Sequence, residues 1–191
     1  MSKGRLEAFS DGVIAILITI MVLELKIPHG SDWAALQPTI PLLLAYALSF
    51  VYIGIYWNNH HHLLQAARQV NGKVLWANLH LLFWLSLVPF LTAWNGEQPA
   101  ASLPCALYGA VLLAAALSYF TMQNILISAQ GPDSTLREMI GRDIKGWLSL
   151  LIYLVAIPLA FVNPWLADGL YVLVALIWLV PDPRIERHIA R

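Results

Sequence analysis

Six apolar runs dominate the sequence, each close to the ~20 residues that carry a helix across a bilayer. Hydropathy places them at about 6–27, 39–63, 74–95, 102–127, 145–162 and 165–181. This pattern leaves the chain few options. Inside hydrocarbon the backbone must satisfy its own hydrogen bonds, so each run is expected to be helical. The polar signals fall in the connectors: KIPHGSDW, QAARQVNGK, NGEQPAAS, SAQGPDSTLREMIGRD and VNPW. Composition agrees, with 59% hydrophobic and 12% charged residues, where soluble domains carry roughly a quarter charged. The eight Trp and seven Tyr suit belts at membrane interfaces. The expected fold is an all-α integral membrane protein, one six-helix transmembrane domain over 1–191.

Six spans put both termini on one side. Lys3, Arg5, Arg68, Lys73, Arg137, Arg142, Lys145, Arg184, Arg187 and Arg191 then share the terminal side, and only Lys26 lies opposite. The positive-inside rule makes that side cytoplasmic. A net charge of zero without a polybasic tail argues against nucleic acid as a partner. The single cysteine, Cys105, permits no internal disulfide. The first apolar run is expected to stay in place as a span, because it is long, contains acids and precedes no A-x-A site. No G-x-x-x-x-G-K-S/T loop occurs, which argues against an ATP-driven pump. No nucleophile–base spacing points to an enzyme.

The first run, RLEAFSDGVIAILITIMVLEL, carries Asp11 into apolar sequence. With Ile16 at zero and about 100° per residue, Ile20 falls at about 40°, Leu23 at about −20° and Ile27 at about 20°. Gly12 and Thr19 flank this stripe at about −40° and −60°, and Glu24 lies on the other flank at about 80°. Asp11 falls near −140°, across the helix, and is expected to face protein, since an intramembrane acid costs at least ~2.5–3.5 kcal/mol. The stripe has two readings. It packs against lipid or bundle, or copies of it surround an axis as apolar rings that gate by dewetting. Arg5 points ~120° away from Asp11, so the partner of the acid is expected on another helix.

Several polar residues share the depth of Asp11: Ser10, the run from Trp57 and Asn58 to His62, Asn78 and His80. Such a layer satisfies its members where lipid cannot. Consecutive histidines point about 100° apart, which argues against one metal ion on His60 and His61. Their titration near neutral pH is a possible coupling to opening. Pro41, Pro89 and Pro158 are candidate kinks. Glu24 sits near the outer end of the first helix. Asp168 is expected near the start of the sixth, complementing its dipole. Ser134 or Thr135 is a candidate cap in the longest connector.

RLEAFSDGVIAI carries R-x-x-x-F-S-D, including Arg5, Phe9, Ser10 and Asp11, and resembles the first-helix signature of the transmembrane protein 175 family. WNNHHHL, NLHLLFWLSLVPF and the closing PDPRIE are similar to its bacterial branch. The family comprises endosomal and lysosomal potassium channels and bacterial relatives. The resemblance implies a homotetramer in a bacterial inner membrane, with the first helix lining a central pore. Constriction rings would fall on Ile16, Ile20 and Leu23, with Thr19 supporting modest potassium preference. Arg5, Ser10 and Asp11 would tie the first helix to the next two, with His60 or His61 and Asn78 as partners. No cofactor is implied, and the permeant ion would be K+, with membrane lipid and monovalent cations the other partners. The alternative is a proton-coupled or metal secondary transporter using the Asp and His residues as a relay. A non-transporting scaffold is a third reading.

Overall fold

The computed structural model describes residues 2–67, 69–131, 136 and 143–179. Arg68, Arg137, Arg142, Arg184, Arg187, Arg191, Ser134, Thr135 and the PDPRIE segment lie outside the described residues, as do positions 180–181 of the sixth expected helix.

Helix α1 spans Lys3–Leu23. It ends four residues earlier than expected. Glu24 closes it, Pro28 disfavours helix at Ile27, and Lys26 is drawn into an ion pair with Glu97 at 2.7 Å. Ile27 therefore leaves the stripe. Asp32 caps the short α2, Trp33–Leu36, by accepting from the Ala35 N–H. A 3-10 turn at Gln37–Thr39 leads into α3, Ile40–Ala66. Pro41 sits in the first turn of α3, where its missing N–H costs nothing, rather than at a kink.

The third expected span divides. Asn71 caps α4, Gly72–Ser86, through the Val74 N–H. Pro89 lacks the N–H that would reach the Leu85 carbonyl, so the helix breaks at Leu87 and resumes as α5, Val88–Glu97. Helix α6 covers Ser102–Ala129, α7 covers Ile144–Leu159 and α8 covers Pro164–Leu179. Pro158 lies in the last turn of α7. Asn163 accepts from the Trp165 N–H just before Pro164 starts α8. Asp168 lies just beyond the first turn of α8.

Four helical stretches are long and apolar enough to cross a membrane: Lys3–Leu23, Trp33–Ala66, Gly72–Glu97 and Ser102–Ala129. Ile144–Leu159 and Pro164–Leu179 are apolar but shorter. Helix ends alternate between two ends of the bundle. At the near end Lys3 donates to the Gln65 and Ala67 carbonyls and Gln130 donates to Ala66, closing the last turn of α3. At the far end Lys26 meets Glu97, and Asp168 meets Asn95 and Cys105. Large apolar side chains such as Leu44, Phe90, Leu151 and Val162 lie exposed on the outside. A surface of that kind belongs in lipid, and the protein is an integral membrane protein.

Close helix contacts use glycine. A Cβ on Gly96 would come within 2.8 Å of the Leu42 backbone, so α5 lies tight on α3. Gly109 of α6 makes room for the Tyr171 ring of α8.

Candidate functional site on helix α1

One face of α1 is locked into the chain. Leu6, Ser10, Ile14, Leu17 and Met21 are buried, and on the wheel used above they fall between about 80° and 160°. Ser10 is the polar member. Its Oγ donates to the Leu6 carbonyl at 2.9 Å and accepts from Asn78 Nδ2 at 3.0 Å. Asn78 Oδ1 lies 2.7 Å from His60 Nε2. A carbonyl oxygen only accepts, so His60 carries its proton on Nε2 in this arrangement. All three residues are buried, and three helices meet through one hydrogen-bonded network. The structure selects His60 over His61 as the partner of Asn78. His61 instead stacks on Trp57, with ring centroids 6.2 Å apart.

The other face is open. Phe9, Ile16, Ile20 and Leu23 stand exposed, Ile16 at 56% and Leu23 at 79%. Gly12 lies on this face with nothing within 4 Å of an added Cβ. Thr19 is also exposed, and its hydroxyl is spent on its own helix, toward the Ala15 and Ile16 carbonyls.

Asp11 is not buried within the chain. It sits at the edge of the open arc and is exposed. The indole Nε1 of Trp57 on α3 donates to its Oδ1 at 3.0 Å. A partner on another helix is therefore present, but one neutral donor covers only part of the carboxylate. Arg5 is exposed, and no hydrogen bond or ion pair reaches its guanidinium among the described residues. His80 does not join the Ser10 network. It bonds Ser118 of α6 at 2.9 Å and accepts from Trp84 at 3.0 Å. Glu24 closes α1 at the far end, exposed. Among the described residues no three metal-ligating side chains converge.

A second polar cluster escaped the sequence reading. Thr92, Ser49 and Tyr108 form a buried chain with links of 2.6 and 2.8 Å. Tyr153 donates to Tyr52, which donates to the Tyr171 carbonyl. The signal was the number of hydroxyls inside apolar runs. Which helices they join depends on packing.

The family model of the endosomal/lysosomal potassium channel TMEM175 matches residues 5–89, the stretch that holds both faces of α1 and the Ser10–Asn78–His60 network. A potassium channel from Chryseobacterium sp. (strain P1-3) is 56% identical over 99% of this chain and 98% of its own length. The chain belongs to the TMEM175 family. Among solved structures, the crystal structure of a lysosomal potassium-selective channel TMEM175 homolog from Chamaesiphon minutus superposes with a TM-score of 0.82. It shares 28% identity, over 93% of this chain and 96% of the other. The human endosomal/lysosomal proton channel TMEM175 is 41% identical over 36% of this chain, which spans 16% of that longer protein. These TMEM175 relatives are channels, not enzymes.

Proposed function

We propose that this protein is a passive, potassium-permeable cation channel. It assembles as a homotetramer in a bacterial inner membrane, with six spans per subunit in one domain over 1–191 and cytoplasmic termini. Copies of α1 surround the axis. Ile16, Ile20 and Leu23 form stacked apolar rings in place of a carbonyl filter, and Thr19 stands beside the tightest ring. The observation that carries this reading is the division of α1 into a locked face and an open apolar face, with Asp11 at the edge.

An exposed acid some way into a span is costly against lipid, and a neighbouring subunit would cover it. Apolar rings cannot replace the hydration shell of an ion. Passage therefore favours ions that lose water cheaply, potassium over sodium, and selectivity is modest. No cofactor is needed, since the ion moves down its gradient. Arg5 and Phe9 would meet the neighbouring subunit, while Ser10, His60 and Asn78 hold the helix in place. The relay of a carrier has less support, because no hydrogen bond joins Asp11 to His60, and each is bonded elsewhere.

Cys105 is buried, so Ile16→Cys supplies the one accessible thiol among the described residues. In proteoliposomes, a charged methanethiosulfonate reagent should then block potassium efflux while leaving the parent protein unaffected. Undiminished flux after confirmed modification would remove Ile16 from the pore.

A further inference from the structure

Tyr153 of α7 is pinned to Tyr52 of α3 by a hydrogen bond of 3.2 Å. Next to this pin, toward the near end, lies a cavity of about 50 Å³ between α3, α6, α7 and α8. At 10–15 Å³ per water it holds roughly three to five waters. Its occupant is therefore small, or the tip of something larger.

The wall is aromatic, with Tyr56, Tyr119, Phe120 and Trp178 around the Tyr52–Tyr153 pair. Asp143 contributes the carboxylate. One of its oxygens accepts from the Gly146 N–H at 2.8 Å and caps α7. No Lys, Arg or His among the described residues lines the space. Most lining donors are already committed. Tyr119 bonds the Asn59 carbonyl, Ser149 bonds the Lys145 carbonyl, and Trp178 bonds Ser149. An anion would find almost nothing to bind. A soft organic cation would find aromatic faces and a carboxylate together, the combination that holds ammonium groups. A bare metal ion would need several strong ligands, and among the described residues the lining offers a single carboxylate.

We propose that this cavity binds an ammonium group, carried either by a small free amine or by an aminophospholipid headgroup. The site lies behind α3, away from α1, and does not depend on the pore assignment.

The test uses the full chain in nanodiscs of phosphatidylglycerol, a lipid without an ammonium group. Ethylammonium is titrated against ethanol and potassium chloride, with tryptophan emission and thermal midpoint as readouts. Ethylammonium should give a saturable response that the other two do not. Asp143→Asn keeps the cap on Gly146 and should weaken binding at least about tenfold. Ala116→Leu fills the cavity from α6 and should abolish binding while the protein keeps its thermal midpoint. Adding phosphatidylethanolamine separates the sources. A weakened apparent affinity for ethylammonium assigns the site to lipid, and an unchanged one assigns it to free amines. Potassium chloride matching ethylammonium, or both variants binding as the parent does, would overturn the proposal.

Discussion

The two faces of α1 differ in what satisfies them. On the back, Ser10 meets Asn78, Asn78 meets His60, and each buried polar atom in that chain has a partner within the subunit. On the front, Phe9, Ile16, Ile20 and Leu23 are left exposed by the rest of the chain. The back is a closed account of hydrogen bonds, and the front is an open apolar surface. A helix built this way cannot turn to bury its front without breaking the network behind it. If the open face lines the proposed pore, position and permeation are carried by separate residues and should separate under mutation.

The largest effect is expected from Asn78→Leu. It strips the acceptor from His60 and the donor from Ser10, leaving buried groups unpaired at a cost of about 2–3 kcal/mol. Thermal unfolding in detergent should show a large loss of stability, and any channels that still form should keep their ion preference. If the thermal midpoint is unmoved, the back face is not an anchor. Asp11→Ala should come next. It frees Trp57 and removes the acid at the edge of the open face, so size measurement by light scattering should show fewer assembled particles. A normal oligomer of normal stability would sink that role.

Gly109→Ala tests packing remote from both faces. Its Cβ would run into the Tyr171 ring, so α6 and α8 must part and stability should fall by about 1–3 kcal/mol. Wild-type stability there would show that Tyr171 has room to move. Thr19→Val should be the mildest. Its hydroxyl bonds only its own helix, so unfolding should shift by less than about 0.5 kcal/mol. A small change in the potassium-to-sodium preference is the expected readout, and a large loss of stability would mean that Thr19 packs against more than its own turn.

Much of this organisation is legible in the sequence because apolar runs of bilayer length admit little except helix. Pro89, a candidate kink, coincides with the break at Leu87, whereas the early stop of α1 before Pro28 was missed. The choice between His60 and His61 stayed open in the sequence, and burial decides it. His60 is seven residues from Ile53 and four from Leu64, so the three share one buried stripe, while His61 is turned about 100° away. What could not be read was tertiary register. Helix angle excluded Arg5 as the partner of Asp11, but choosing Trp57 requires knowing how α3 lies against α1. His80 shares the composition of the polar layer and turns instead to Ser118, a choice made by α6. Asp168 looked like a dipole partner, yet it lies among Asn95 and Cys105, brought there by two other helices.

The separation of the two faces is tested most directly by the reversal potential of the purified protein in planar bilayers under a potassium/sodium gradient, with Ile16→Asn beside the parent. The parent should reverse toward the potassium potential. Ile16→Asn should carry more current, reverse closer to zero and unfold like the parent. An absence of current in both, or an identical reversal potential in the variant, would contradict a pore lined by the open face of α1.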